Sequence, residues 1–233
     1  MNNVLATIFT FAIALAWLRM MDFCAQRGWI DSRLSRKLIH IGTGPIYVLC
    51  WLMFQDTPEA RWLAALVPLA ITVQFALVGF GIIKDEASVQ AMSRTGDRRE
   101  ILRGPLYYGI VFVLVTLIFW KSSPVGIVAL MLMCGGDGIA DLVGRQIDSP
   151  KLPWSPEKSV AGSLGVFFGG FIMAEVVLAV YVLTGVLPGP LTRYVLPLAL
   201  VCLVGTEVES LPYKDIDNLT VTAAAAIWGL FMF

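Results

Sequence analysis

Residues 122–145 read SSPVGIVALMLMCGGDGIADLVGR, and this stretch indicates the fold class more clearly than any other segment. Its first part is uncharged and almost entirely apolar up to Gly136. Its second part carries Asp137, Asp141 and Arg145. Because an apolar helix of about 20 residues crosses the hydrocarbon core of a bilayer, the stretch predicts a membrane-spanning helix that runs without a break into a polar end.

The composition of the whole chain supports a membrane protein. Of the 233 residues, 58% are hydrophobic and 15% are charged, whereas soluble domains average about 45–50% and about 25%. The 17 basic and 17 acidic residues balance, so the charge does not favour a nucleic acid as partner. The four cysteines form no CxxC pair, which predicts small buried thiols. These figures exclude a disordered chain, a secreted disulfide scaffold and a nucleic-acid-binding protein.

The uncharged apolar runs predict an all-α, polytopic transmembrane helical bundle with about eight spans. Two runs that flank Glu175 read as one helix, which ends near Leu187 before a Pro-Gly-Pro turn. The first run precedes its charges, so we expect it to remain as a spanning helix and not to act as a cleaved signal peptide. The predicted spans are residues 1–18, 38–55, 62–83, 104–120, 122–136, 159–187, 194–206 and 219–233.

The distribution of Lys and Arg between the loops predicts the orientation. Four alternate loops hold 14 of the 17 basic residues, and the other three loops hold 3. Because basic loops stay on the cytoplasmic side, both termini are expected on the non-cytoplasmic side. The loops are too short to bury a core of their own, so residues 1–233 are expected to form a single integral-membrane domain. Its chemistry is then expected where the basic loops meet the membrane.

The first candidate cluster is the polar end of the stretch quoted above. On a helix, Asp137, Asp141 and Arg145 are spaced i, i+4 and i+8 and share one face. Two carboxylates one turn apart can hold Mg²⁺ and leave positions for phosphate oxygens. Arg145 can balance these carboxylates or bind a phosphate. The alternative is a structural Asp–Arg ladder at a helix end.

The second candidate cluster lies at the predicted start of the sixth span. Pro156 is compatible with the first position of a helix, which would place Lys158, Ser159, Gly162 and Ser163 in the first turns. Free N–H groups, hydroxyls and a Lys at a helix N-terminus form an anion site. The alternative is a cytoplasmic Lys beside small residues that pack helices together.

The third candidate cluster is acidic and connects the last two predicted spans. It contains Glu207, Glu209, Asp215, Asp217 and Asn218. We interpret it as a second carboxylate site, for a metal or for proton transfer. The alternative for Asp217 or Asn218 is the N-cap of the last helix.

The fourth candidate cluster is basic and contains Arg36, Lys37 and His40, the one histidine of the chain. The alternative for His40 is a hydrogen-bonded packing residue. All four clusters are expected on the same membrane face. Carboxylates that hold Mg²⁺ beside cations that hold phosphates are what phosphoryl transfer requires, because its catalysis is mainly positioning and charge neutralisation.

Four motifs in this order resemble the phytol, farnesol and dolichol kinase family. They are residues 36–40 (RKLIH), 136–145 (GDGIADLVGR), 157–163 (EKSVAGS) and 217–220 (DNLT). The resemblance extends from the second predicted helix to the last, and the compact size is most similar to the phytol kinases of cyanobacteria and plastids. It implies a CTP-dependent lipid kinase that converts phytol and CTP into phytyl phosphate and CDP, in the salvage of phytol towards tocopherol and phylloquinone.

The leading hypothesis gives each candidate residue a role. Mg²⁺ is expected as cofactor, with Asp137, Asp141 and Glu207 as its ligands. The catalytic residues are expected to be Asp137, Asp141, Lys158 and Asp217, with Asp217 orienting or deprotonating the alcohol. The substrate is expected to contact His40 and Asn218. The residues expected to bind CTP are basic, small or hydroxyl-bearing, and they are Arg36, Lys37, Arg145, Lys158, Ser159, Gly162 and Ser163.

Several alternatives stay open at this point. The family is distantly similar to phosphatidate cytidylyltransferases, so nucleotidyl transfer with release of pyrophosphate is one alternative, and a dolichol or farnesol kinase is another. A small transporter is the non-enzymatic alternative, since intramembrane charges and Gly-rich broken helices mark substrate paths. The protein is expected in a cell, thylakoid or plastid membrane, with its site on the cytoplasmic or stromal face. The choice among CTP, UTP and ATP and the oligomeric state are open.

Overall fold

The computed structural model describes residues 1–93, 95–213 and 216–233. In these ranges the chain is helical apart from one short β-hairpin, so the all-α prediction is confirmed. The hairpin pairs β1 (Lys151–Leu152) with β2 (Ser155–Ser159) in antiparallel fashion. The helices are α1 Asn3–Gln26, α2 Ser32–Cys50, α3 Ala60–Phe80, α4 Glu86–Met92, α5 Gly104–Phe119, α6 Pro124–Met131, α7 Asp137–Gln146, α8 Val160–Leu183, α9 Thr192–Glu209 and α10 Asp217–Met232.

The helices follow the apolar runs of the sequence, and each of the eight runs contains one. In the part of the chain that the structure describes, five helical segments are long and apolar enough to cross a membrane. They are α1, α3, Arg98–Phe119, Pro124–Gln146 and α8. The multi-pass membrane class is therefore confirmed, whereas the count of eight spans and the side of the termini stay predictions. All four cysteines are free thiols; Cys50, Cys134 and Cys202 are buried, as predicted, whereas the prediction is wrong for Cys24, which is only half-buried.

The described chain divides into two compact units, unit 1 (Met1–Leu117) and unit 2 (Ile118–Phe233). The prediction of a single domain over the whole chain stays a prediction. In unit 1, α1 packs against α2 and α3. In unit 2, α8 packs against α7 and α9, and α10 packs against α6 and α9.

Unit 1 compensates for a proline inside one of its helices. Pro68 lies within α3 and lacks the N–H that would bond to the carbonyl of Ala64, four residues earlier. The buried hydroxyl of Tyr47 donates to that carbonyl at 3.0 Å and lies 3.0 Å from the hydroxyl of Thr116. Since a bilayer supplies no water to pair a free carbonyl, the Tyr47 hydroxyl satisfies this carbonyl and links α2 to α3.

In unit 2, glycines line the contact between α8 and the segment that ends in α7. We call this contact the glycine seam; it contains Gly135, Gly144, Gly162, Gly165 and Gly169. A buried π-helical turn, Leu132–Gly136, joins α6 to α7 in one continuous segment. A Cβ on Gly169 of α8 would lie 2.7 Å from the carbonyl oxygen of Gly135, and one on Gly165 would lie 3.0 Å from the Cα of Ala140. Small residues allow this close backbone approach between membrane helices. Helices α7 and α8 run antiparallel, so the end of α7 lies beside the start of α8.

Candidate functional site

The polar end of unit 2 is built around the hairpin that precedes α8. The sequence predicted a helix from about Pro156, but Ser155–Ser159 is a strand and α8 begins only after it. Pro150, Pro153 and Pro156 each lack an N–H, and each favours an extended conformation in the residue before it. The predicted helix start is therefore wrong, because closely spaced prolines keep this segment extended.

The start of α8 does not offer free N–H groups. Its first three N–H groups donate to the carbonyl of Pro150 at 3.0 Å, to the hydroxyl of Ser149 at 3.0 Å and to the hydroxyl of Ser159 at 3.2 Å. The prediction of free N–H groups that bind an anion is therefore wrong, and Ser159 caps the helix instead. The buried Oγ of Ser163 has no hydrogen-bond partner among the described residues, so this hydroxyl keeps its capacity to bind a ligand.

Lys158 of β2 connects the ends of two helices. Its ammonium donates to Oε1 of Glu209 at 3.0 Å and to the backbone carbonyl of the same residue. It also lies 3.9 Å from Oδ1 of Asp217. Beside it, the indole N–H of Trp154 donates to the hydroxyl of Ser210 at 3.1 Å. The structure thus brings Lys158 and Asp217 together, as the hypothesis of a shared site requires, and holds the hairpin on the end of α9.

Of the two glutamates in the third candidate cluster, it is Glu209 that contacts Lys158, and not Glu207, the one expected as a metal ligand. Glu207 is exposed and Glu209 is buried, because residues two apart on a helix face nearly opposite directions. Glu209 continues the buried face formed by Leu198, Cys202 and Gly205. Their helical spacing is the signal in the sequence that could have favoured Glu209 over Glu207.

Asp217 and Asn218 are the first two residues of α10. The N-cap is Ile216, and it makes no side-chain cap bond. The alternative interpretation of Asp217 or Asn218 as an N-cap is therefore wrong. The backbone carbonyl of Asn218 accepts a hydrogen bond from the hydroxyl of Thr222 at 2.7 Å. Asp215 lies outside the described residues.

The predicted polar helix after the π-helical turn is present as α7. The Nε of Arg145 donates to Oδ1 of Asp141 at 2.7 Å, one turn away. The alternative interpretation, a structural Asp–Arg ladder, is therefore confirmed for Asp141 and Arg145. The Arg145 side chain is 56% exposed. Asp137, one turn before Asp141, is half-buried.

The carboxylates do not gather into a closed metal site. Within residues 1–93, 95–213 and 216–233, no three His, Cys, Asp or Glu residues lie close enough together to hold a metal ion. The predicted ligand set of Asp137, Asp141 and Glu207 is therefore not assembled. Asp137 and Asp141 alone still fit Mg²⁺, which uses one or two carboxylates in kinases and takes its other ligands from water and phosphate.

A close approach at Gly144 brings together the segments that carry Arg145 and Lys158. A Cβ on Gly144 would lie 3.3 Å from the Cα of Gly162 and 3.5 Å from the Oγ of Ser159. Gly162, predicted to bind phosphate, thus also packs α8 against α7. In the sequence, Arg145 follows Gly144 directly, and Lys158 directly precedes Ser159. The close approach therefore brings the polar end of α7 to the hairpin.

Arg36, Lys37 and His40 lie on α2 in unit 1. The Nη1 of Arg36 donates to the backbone carbonyl of Ser93 at 3.1 Å. The His40 ring packs on the ring of Tyr108, with 4.5 Å between centroids, and the Tyr108 hydroxyl donates to the His40 carbonyl at 2.8 Å. Tyr108 is a neighbour that the sequence analysis did not identify. The convergence of this cluster with those of unit 2 stays a prediction.

Known proteins place the chain in a family. No family model and no solved structure matches it. A probable chloroplastic phytol kinase of Triticum aestivum is 38% identical over 230 residues, which cover 98% of this chain and 77% of the relative. The chloroplastic phytol kinase 1 of Arabidopsis thaliana is 36% identical over 235 residues, and the chloroplastic farnesol kinase of the same plant is 36% identical over 241 residues; each match covers 100% of this chain and 77% of the relative. The chain therefore belongs to the phytol and farnesol kinase family.

Proposed function

We propose that this chain is a membrane kinase that transfers the γ-phosphoryl group of a nucleoside triphosphate to the hydroxyl of an isoprenoid alcohol. Relatives named phytol kinase and farnesol kinase support this class of acceptor. We further propose phytol as the acceptor and CTP as the donor, with phytyl phosphate and CDP as products, in phytol salvage towards tocopherol and phylloquinone. The observation that carries the proposal is the position of Lys158 between two carboxylates, beside the polar end of α7.

Lys158 and Arg145 supply positive charge for the phosphates of the nucleotide. An ammonium has three N–H donors, and Lys158 uses two of them on Glu209. One donor is therefore left for a phosphate oxygen. Arg145 uses its Nε on Asp141, which leaves the two terminal nitrogens for a forked contact with phosphate. Such contacts position the nucleotide and neutralise charge, which is what phosphoryl transfer mainly requires.

Asp137 and Asp141 are proposed to hold Mg²⁺, in line with the oxygen ligands and the open coordination positions that this ion prefers in kinases. Bound there, the ion would neutralise charge on the phosphates. Arg145 contacts the Asp141 carboxylate through Oδ1 at 2.7 Å, so that carboxylate is held in place one turn beyond Asp137.

Asp217 is proposed to accept the proton of the alcohol. Its carboxylate lies 3.9 Å from the Lys158 ammonium and its side chain is 30% exposed, so a substrate can reach it. The alcohol oxygen forms a bond to the γ-phosphorus, and the bond from that phosphorus to the bridging oxygen of the departing CDP breaks. The hydroxyl proton passes to the carboxylate during this step, as general base catalysis requires.

The outer face of α8 is proposed to guide the isoprenoid tail. Leu164, Phe168 and Ile172 are spaced i, i+4 and i+8, and they are 52%, 53% and 59% exposed. They form an apolar stripe that begins one turn inside the polar end of the helix. An isoprenoid chain prefers apolar surroundings to water, so a tail along this stripe would leave its hydroxyl near Lys158 and Asp217.

A transfer assay tests the proposal directly. The purified protein in detergent is incubated with Mg²⁺, γ-labelled CTP and phytol, and the organic phase is analysed for label. We expect labelled phytyl phosphate and free CDP. Farnesol, geranylgeraniol and dolichol are tested in parallel, as are UTP and ATP. The proposal fails if no alcohol acquires label from any donor; release of labelled pyrophosphate with phosphatidate as acceptor would instead indicate nucleotidyl transfer.

A further inference from the structure

Glu209 is a carboxylate in an otherwise apolar position. It is the last residue of α9 and is 9% exposed, on the same face as the buried Cys202 and Gly205. A buried charge is unfavourable unless it is paired and hydrogen-bonded. The structure pairs the Glu209 carboxylate with the ammonium of Lys158, whose side chain is 18% exposed.

Glu209 accepts two hydrogen bonds from this one ammonium. One goes to Oε1 at 3.0 Å, and the other goes to the backbone carbonyl. That carbonyl lies at the C-terminus of a helix, where carbonyls lack partners within the helix and carry a partial negative charge. The side chain and the helix end therefore attract the same cation, and together they fix its position.

The hairpin that carries Lys158 is held at a second point on the same helix end. The Trp154 indole donates to Ser210, the residue that follows Glu209. The Ser210 hydroxyl itself donates to the carbonyl of Glu207 at 2.6 Å. The Trp154 contact thus holds the turn of the hairpin at the end of α9. The Glu209 contact holds Lys158, near the end of β2, at the same place.

We propose that Glu209 is a positioning residue, which holds the Lys158 ammonium at the end of α9 so that its remaining N–H faces a phosphate of the nucleotide. This inference rests on the proposed function. Glu209 contacts neither nucleotide nor alcohol in this proposal, and it acts only through Lys158. Its removal should therefore have no effect in a protein that already lacks the Lys158 ammonium.

A double-mutant cycle measures this dependence. The variants are Glu209→Ala, Glu209→Gln, Lys158→Met and the two double variants, with Asp148→Ala as control because Asp148 is an exposed carboxylate of the same unit. The measurements are kcat/KM for CTP in the phytol assay and the Kd of CTP with Mg²⁺ by equilibrium binding, which needs no turnover. Thermal unfolding identifies variants that do not fold.

Glu209→Ala is expected to weaken CTP binding and to lower kcat/KM by about tenfold or more, because it removes one charged hydrogen bond to the ammonium. Glu209→Gln keeps an acceptor of the same shape, so its loss should be smaller. In the Lys158→Met background neither change should weaken CTP binding further. If Glu209→Ala does not fold, the Glu209→Gln cycle gives the same comparison.

The inference is overturned if the effects of Lys158→Met and the Glu209 change add, or if the Glu209 variants bind CTP as well as Asp148→Ala does. These outcomes are distinct from failure of the proposed function. That failure is marked by a wild-type protein that phosphorylates no isoprenoid alcohol.

Discussion

In unit 2 two candidate phosphate-binding cations contact carboxylates, whereas in unit 1 the described contacts of Arg36 and His40 include a backbone carbonyl and an aromatic ring. The Lys158 ammonium forms an ion pair with the Glu209 carboxylate, and the Arg145 guanidinium forms one with the Asp141 carboxylate. The guanidinium of Arg36 donates to the backbone carbonyl of Ser93, and the ring of His40 packs on the ring of Tyr108. An ion pair near the surface can exchange or share a partner when a phosphate arrives. Under the proposed function, we therefore expect the phosphates of the nucleotide at these ion pairs of unit 2.

The helices of the two units also pack differently. Unit 2 brings helix backbones together at glycines, while unit 1 fills its interior with rings such as Tyr47, Trp51 and Phe112. Close backbone contact leaves little freedom to the residues next to it, such as Arg145 beside Gly144. The glycine seam is thus expected to be the more sensitive to added volume.

The largest effect is expected for Lys158→Met. Loss of the ammonium should lower kcat/KM by about a hundredfold or more, the range found when one donor to a developing charge is removed. Lys151→Met is the matched control, because Lys151 is exposed on β1 of the same hairpin. Equal activity of the two variants in the labelled-CTP assay would contradict the assignment of phosphate binding to this end of unit 2.

The next effect concerns the glycine seam. Gly169→Ala places a Cβ against the carbonyl of Gly135, and overpacking of this kind costs about 1–3 kcal/mol. Thermal unfolding in detergent should show a lower Tm. Gly104→Ala in unit 1 meets no atom within 4 Å and should leave the Tm unchanged or raise it slightly. If Gly169→Ala lowers the Tm no more than Gly104→Ala does, the expected difference in packing between the two units is contradicted.

A smaller effect is expected in unit 1 for Tyr47→Phe. This change leaves the Ala64 carbonyl without the Tyr47 donor, at a cost of about 1 kcal/mol. Pro68→Ala restores an N–H four residues after Ala64, so Tyr47→Phe should lower the Tm less in the Pro68→Ala background. The same decrease in both backgrounds would show that the hydroxyl does not compensate for the proline.

The smallest effect is expected at the N-cap of α4. The Ser88 hydroxyl and N–H, at 2.6 and 3.0 Å from the Asp85 carboxylate, hold the pKa of this carboxyl below its usual value. A lowered pKa stabilises the folded state above the unfolded-state pKa, and this contribution is lost as the pH falls through the folded-state pKa. Asp85→Ala should therefore cost about 0.5–1 kcal/mol at neutral pH and less in acid. Amide exchange in α4 measures this, with Gln90→Ala, an exposed position, as control.

Local patterns predicted the helices well. An apolar run of bilayer length has one stable backbone conformation in a membrane, so α1, α3 and α8 could be predicted from composition alone. The spacing of Asp141 and Arg145 predicted their pairing on α7 for the same reason, since neighbours one turn apart depend only on the helix itself.

The missed features depend on contacts between distant segments. The N–H groups at the start of α8 are taken by Ser149 and Pro150, which reach them only because the hairpin folds back. Glu209 and Glu207 are equivalent by residue type, and the packing of α9 decides which of them is buried. The hairpin is an exception among the missed features, because Pro150, Pro153 and Pro156 indicate an extended segment in the sequence itself.

The most direct test of the account is to map where the γ-phosphate lies. CTP with a photoreactive group on its γ-phosphate is cross-linked to the purified protein with Mg²⁺, and the labelled peptides are identified by mass spectrometry, with unmodified CTP as competitor. We expect competed cross-links within residues 137–163 or 205–218. Competed cross-links found only elsewhere in the chain would contradict the assignment of the nucleotide site to the polar end of unit 2.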